Sequence, residues 1–246
     1  GTGNGLPAGR YPGVAPAADL IVVKGGDGSF TADRVLDGVA YIFDRAAELG
    51  RPAVVVLSLS TQAGPHDGTT LLEQALDSLS GRGRIIVAAA GNWGNNDNAR
   101  PGVPQPATHS HGVATQVAAV DHGLRIPPYT PNPGSISDAA ALELWYDGAD
   151  ELRVTIISPR GDSVSVATGD SAVVATPGGA IYVNNAAAGP NPANGDRQAL
   201  IILFDSTEAA PPDTGLWTIR VRGDAIAASG EHHLWLVGAS FQNPTR

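Results

Sequence analysis

The stretch Arg84-Ile-Ile-Val-Ala-Ala-Ala-Gly-Asn92 constrains the fold more than any other part of the chain. An unbroken apolar run that stops on a Gly-Asn pair reads as a buried strand of a parallel sheet, with a polar amide at its carboxyl end. In open α/β sheets ligands sit at that edge. Asn92 is therefore placed to aim its side-chain N–H at a developing oxyanion. The same residues also suit a plain strand followed by a turn, because Gly-Asn is a common turn dipeptide.

The hundred residues around this run alternate between strand and helix signals. Asp19-Leu-Ile-Val-Val-Lys24 predicts a first strand. Thr31 is a candidate cap for the helix that follows, with Asp33 in its first turn, where the dipole favours an anion. Val35, Val39, Ile42, Phe43 and Ala46 share one helical face, and Gly50 ends the helix. Ala53–Leu59 predicts a second strand. Thr70-Leu-Leu-Glu73 has the capping-box pattern and opens a second helix with Leu72, Leu76 and Leu79 inward. Gly81 and Gly83 break that helix, and Ile85–Ala90 is the third strand. Short links between alternating elements call for right-handed crossovers and a parallel sheet covered by helices.

The pattern changes after Trp93. Residues 101–133 hold seven prolines. Period-two runs then follow at Gly112–Val120, Leu142–Tyr146, Leu152–Ser158, Ser163–Ala167, Ser171–Ala175, Ala180–Val183, Ala199–Phe204, Trp217–Val221 and His233–Gly238. Pro159-Arg-Gly-Asp162, Pro177-Gly-Gly179 and Asp213-Thr-Gly215 are turns between them. Eight or nine strands with Gly/Pro turns and no helix signal predict a β-sandwich, best read as a jelly roll. The expected organisation is a half α/β core over 1–100, a linker over 101–111 and a jelly roll over 112–246.

Composition removes several function classes. With 15 basic and 24 acidic side chains the formal charge is −9, against the basic face that nucleic acid requires. Residues 1–100 carry 8 basic and 10 acidic groups and residues 101–246 carry 7 and 14, so the excess lies in the second part. There is no cysteine, hence no disulfide framework and no thiolate metal site. No apolar run approaches membrane-spanning length, and no signal peptide is evident. A chain that opens on Gly1 and contains no Met is expected to be a piece of a longer product. These features fit a secreted or a cytoplasmic bacterial protein, with secretion slightly favoured.

Three blocks, Gly13-Val-Ala-Pro-Ala-Ala-Asp-Leu-Ile-Val-Val-Lys24, Val54-Val-Val-Leu-Ser-Leu-Ser60 and Val87-Ala-Ala-Ala-Gly-Asn92, occur in an order and spacing that resemble the middle of a subtilisin-like serine protease. The resemblance covers residues 1 to about 100. Gln62-Ala-Gly-Pro-His-Asp-Gly-Thr69 is more similar to the clostridial spore-germination proteases, a branch that carries a jelly roll inserted after the Gly-Asn pair. The resemblance implies a fold class of α/β plus all-β: a partial parallel-sheet core of three strands and two helices, followed by the inserted jelly roll. It implies that Ser58, Leu59 and Ser60 pair with an extended peptide or protein substrate by strand addition. Ser60 stands where the family usually has Gly. It further implies that Ala89, Ala90 and Gly91 wall the specificity pocket and that Asn92 is the oxyanion donor. The family's catalytic Asp, its His in a His-Gly-Thr-His-Val-Ala-Gly segment and its Ser in a Gly-Thr-Ser-Met-Ala segment have no match here. The triad is expected to lie outside the chain, and the piece alone is expected to be inactive.

Several stretches imitate what is missing. His109-Ser-His-Gly-Val-Ala-Thr115 is superficially similar to the His segment but lacks the Gly-Thr before its second His. His109 and His111 would share one strand face as a metal pair, yet the sequence places no further ligand beside them, so no metal site is assigned. Gly161-Asp-Ser163 and Gly169-Asp-Ser171 read as hairpin turns. His232-His233 precedes an aromatic strand, which sends one ring to the core and one to water. Asp147, Asp150, Asp162, Asp170 and Asp196 lie in loops where Ca²⁺ binding is conceivable but no motif supports it, so no cofactor is expected. An incomplete sheet is expected to self-associate. Two other classes stay open: a pseudoprotease scaffold or regulator, and a β-sandwich that binds carbohydrate or protein.

Overall fold

The computed structural model describes residues 13–26, 30–91, 109–207 and 209–241. By contact density the chain divides into two compact units, residues 1–57 with 71–87, and residues 58–70 with 88–246.

In the first unit, α1 (Ala32–Glu48) turns Val39, Phe43 and Ala46 inward, the face its apolar spacing dictates. Thr31 takes the N-cap position with extended backbone but makes no side-chain cap bond. Its hydroxyl bonds the Asp33 carboxylate instead and helps to hold that group below its ordinary pKa. At the other end Gly50 adopts φ +65°. The Gly50 and Arg51 amides bond back to Ala47 and Ala46, a Schellman closure. Strand β1 (Ala53–Leu57), helix α2 (Leu71–Leu79) and strand β2 (Arg84–Ala88) follow. The strands form a two-stranded sheet. The Ala53 amide bonds to the Gly83 carbonyl at 2.8 Å, joining the starts of both strands, as a parallel pair requires.

Among the described residues, one face of that sheet is covered. Val55 is buried against Val39 and Phe43, with Ala53, Leu57, Leu76, Leu79 and Ile86 packed around them. The alternate residues Val54 and Val56 are 59% and 73% exposed, and Ile85 and Val87 face water beside them. Asp19–Lys24 corrects the three-strand expectation. It enters no ladder among the described residues, and Leu20 and Val22 stand 85% and 88% exposed. Apolar β-branched composition is necessary for a strand, but the partner is what makes one.

Among its described residues the second unit contains ten strands: β3 (His109–Val113), β4 (Val120–Ile126), β5 (Ala139–Tyr146), β6 (Glu151–Ile157), β7 (Ser163–Val166), β8 (Ser171–Thr176), β9 (Gly179–Asn185), β10 (Arg197–Phe204), β11 (Gly215–Ala225) and β12 (Glu231–Ala239). They form a six-stranded sheet in the order β3-β12-β5-β10-β9-β8 and a four-stranded sheet in the order β4-β11-β6-β7. Neighbouring strands in both sheets pair antiparallel. Alternate residues of both sheets meet in one core, with Leu142, Leu144, Ile181, Ile201 and Leu203 from the first and Leu152, Val154, Ile156, Trp217 and Ile219 from the second. The predicted run Gly112–Val120 is not a strand. Its middle is a turn in which the Thr115 hydroxyl accepts the Ala118 amide at 2.9 Å, and Val117 points into water. β3 opens earlier, at His109, within the stretch read as linker.

Two buried polar networks tie the sheets together. Asn185 donates to the carbonyls of Leu152 and Val166 and accepts from the Tyr146 hydroxyl. Asp150, wholly buried, accepts the amides of Ala227, Ala228 and Gly230 at 2.7–2.8 Å. Burial alone would raise its pKa, but the Ala228, Gly230 and Ala227 amides outweigh that and lower it. Gly230 sits at φ +70°, where a side chain would run into the Ala114 carbonyl, so glycine is required there.

Candidate active site

Parallel neighbours hand the chain on at the same edge, so the residues after β1 and after β2 leave the sheet together. Those residues are Ser58–Ser60 and Ala89–Gly91, two of the segments picked out from sequence. Ser58, Leu59 and Ser60 are exposed beyond the end of β1, as are Ala89 and Ala90 beyond β2. Gly91 is half-buried and adopts φ +82°, a conformation that suits glycine and turns the chain sharply before Asn92. Asn92 itself lies outside the described residues. An exposed extended segment at a sheet edge can pair its backbone with a peptide. Small residues on the adjoining segment leave room for a side chain.

The loop that continues from Ser60 is fastened to the antiparallel unit. The Gly64 amide donates to Glu143 Oε2 at 2.9 Å, and the Trp145 indole N–H donates to the same oxygen at 3.0 Å. Asn194 bridges Asp67 and Asp196. Burial together with the charges of Asp67 and Asp147 raises the pKa of Asp196. His66, at φ +60°, lays its ring on Trp235 with centroids 3.9 Å apart.

The histidines divide between the two faces of β3 and β12. On the inner face Ser110 Oγ lies 2.6 Å from His122 Nδ1, His122 Nε2 lies 2.8 Å from His232 Nε2, and His232 Nδ1 lies 3.0 Å from the Gly230 carbonyl. That carbonyl can only accept, so His232 carries its proton on Nδ1 and accepts at Nε2. His122 therefore donates through Nε2, and its Nδ1 accepts from the Ser110 hydroxyl. The serine-to-imidazole contact has the form of a nucleophile and base. Yet His122 and His232 are buried and the chain of donors ends on backbone, so it serves to lock β3, β4 and β12 together. Burial and the neighbouring His232 push the His122 pKa down to about 4.

On the outer face, His111 stands opposite His233 and His109 opposite Trp235. His109 stacks on Trp235 at 3.8 Å and meets His233 Nδ1 through its Nε2 at 3.0 Å. Desolvation, then the charges of His233, His66 and His111, lower the His109 pKa. The Gly-Asp-Ser imitations are turns: Gly161 and Gly169 sit at φ +93° and +90°, and Ser163 and Ser171 open β7 and β8. The loop acids bond locally, Asp147 to the Ala149 amide and Asp162 to Ser158. Sequence reasoning missed the joining of His109 and His111 to Glu231 and His233, whose only signal was the shared period of two in distant strands.

The subtilase family model matches residues 2–208. The chain belongs to that family. Among its relatives are a subtilisin of Bacillus sp. (strain TA39), 30% identical over 167 residues, covering 60% of this chain and 37% of the subtilisin. Thermitase of Thermoactinomyces vulgaris is 33% identical over 138 residues, covering 54% of this chain and 42% of thermitase. This subtilase chain thus spans about two fifths of the length of these relatives. In fold it is similar to the Clostridium perfringens CspB protease, with a TM-score of 0.68 at 24% identity over 87% of this chain and 42% of that one. That coverage exceeds the α/β unit, so the likeness in fold extends into the antiparallel sheets.

Proposed function

We propose that this chain is the substrate-aligning part of a subtilisin-like serine endopeptidase, joined to an inserted jelly roll. Ser58–Ser60 pairs with the backbone of an extended peptide, Ala89–Gly91 walls the pocket for one of its side chains, and Asn92 donates to the tetrahedral oxyanion. The Asp, His and Ser of the triad belong to segments with no counterpart among these residues, so the chain alone neither cleaves nor forms an acyl-enzyme. The division of labour is a catalytic half-core up to residue 100 and an antiparallel module after it. Membership of the subtilase family over residues 2–208 carries the reading, and the common edge from which Ser58–Ser60 and Ala89–Gly91 emerge supports it.

The test needs the longer protein that contains residues 1–246. A fluorophosphonate probe should label its triad serine, and casein should be cleaved. Asn92→Ala there should lower turnover by about 10²–10³ with little change in substrate binding, the size found for such a donor in a subtilisin. The 246-residue chain should be neither labelled nor active. Undiminished turnover in Asn92→Ala would remove the oxyanion role. A protein with an intact triad that refuses the probe would instead be a pseudoprotease.

A further inference from the structure

We propose that the outer face of β3 and β12 is a binding site for a divalent transition-metal ion of the zinc class, held by His111 Nε2, Glu231 Oε1 and His233 Nε2. Among the described residues these three form a group whose ligating atoms all lie within 4.8 Å of one another. His111 Nε2 is 3.1 Å from Glu231 Oε1, and His233 Nε2 is 3.7 Å from the same oxygen. Tetrahedral zinc, with ligands at about 2.0–2.2 Å, sets its donors about 3.4 Å apart, so these two separations bracket what an ion requires. Two imidazoles and one carboxylate match zinc, nickel or copper rather than calcium or magnesium, which take shells of oxygen. The side chains of His111, Glu231 and His233 are 47%, 53% and 43% exposed, so an ion can enter and water can complete the shell.

The positions are fixed by more than side-chain chance. His111 and His233 are register partners in the β3–β12 ladder, and Glu231 follows two residues before His233 on the same face. A site on paired strands holds its geometry better than one on a loop. The remaining nitrogen of His233 is also engaged, since Nδ1 lies 3.0 Å from His109 Nε2. With the proton on His233 Nδ1, donated to His109, the Nε2 lone pair is left facing Glu231 and the ion. This is the outer-shell hydrogen bond that metal-binding histidines ordinarily have. Trp235 packs on the His109 ring and keeps it in place. In the ion pairs of the described residues Glu231 meets only the two imidazoles, so no arginine or lysine neutralises it there.

The test uses the 246-residue chain, stripped with EDTA and titrated with zinc chloride by calorimetry. One zinc per chain is expected, with a rise in melting temperature as zinc is added. Long-range ¹H–¹⁵N spectra of the imidazoles should move the Nε2 signals of His111 and His233 and leave those of His122 in place. His111→Asn and His233→Asn should each lower affinity by at least the 10–100-fold that loss of an outer-shell partner costs, and His109→Asn by about that much. Asp170→Asn, in the turn before β8 and away from the three ligands and from His109, should bind as the parent does. Zinc binding that persists in the His111→Asn/His233→Asn double variant would overturn the site, as would unchanged imidazole spectra or preference for calcium. The spectra read the unsubstituted protein, so a variant that fails to fold does not spare the proposal.

Discussion

The two units of this chain use similar apolar residues and reach different degrees of closure. In the antiparallel unit a cluster of 21 buried residues draws on both sheets, and each sheet covers the inner face of the other. In the α/β unit three residues, Val39, Phe43 and Val55, are buried at the centre of the cluster, and Val54, Val56, Ile85 and Val87 on the other face of the sheet are exposed. The antiparallel strands pair largely across long stretches of sequence, β3 and β5 with β12 and β4 and β6 with β11, and the two sheets then close face to face. A parallel pair with crossover helices on one side still needs a second layer. One unit closes its core between two sheets, and among the described residues the other leaves one sheet face exposed.

The largest test of this contrast is excision. Residues 105–246 expressed alone should give a β-type circular dichroism spectrum and a cooperative melt, whereas residues 13–88 alone should give neither. A disordered 105–246 fragment would end the comparison. Next comes the core. Trp217→Ala should destabilise the antiparallel unit by about 3–5 kcal/mol, while Phe43→Ala, beside an open flank that can collapse, should cost the α/β unit about half as much. Amide exchange, read separately in the two units, distinguishes them.

Acid should act on the antiparallel unit through His122. Its folded pKa, about 4, lies below the ordinary 6.5, so between those values the unfolded chain binds more protons. Stability from this group is therefore complete above pH 6.5 and is lost as pH falls toward 4, on the order of 3 kcal/mol in total. Urea midpoints measured across that window should slope less in His122→Gln. The smallest effect belongs to the bare sheet face. Val54→Thr with Val56→Thr should shift stability by less than about 0.5 kcal/mol yet reduce self-association in sedimentation. A large loss of stability would mean that this face is packed after all.

Legibility follows the same division. Strands β5 to β12 could be read because each carries its own period-two pattern between its own turns, as Leu142 and Leu144 or Val164 and Val166 show. Residues 112–120 misled because Val113, Thr115, Val117 and Val120 fit a strand by composition. The turn shows in the Thr115 hydroxyl's bonds to the following amides and in the Thr115 amide's bond to the Ala118 carbonyl. Asp19–Lys24 misled for the opposite reason, as its pattern is right and its ladder is absent. The sheet-edge segments at Ser58 and Ala89 were visible through family resemblance. The outer histidine cluster was half visible: His109 and His111 announce a shared face. Glu231 and His233 arrive through a register set about 120 residues away, which no local pattern encodes.

The fastening of the 61–70 loop bears on how such a protein can be rebuilt. Gly64 is tied to Glu143 on β5, Asp67 to Asn194 before β10, and His66 to Trp235 on β12. Three anchor points on three separate stretches mean that residues 61–70 complete one surface of the antiparallel region, whose core closes without them. A chimera that exchanges residues 109–241 for the equivalent part of another protein must take residues 61–70 with it. Otherwise the exchange strands the Gly64 amide, the His66 imidazole and the Asp67 carboxylate at the seam.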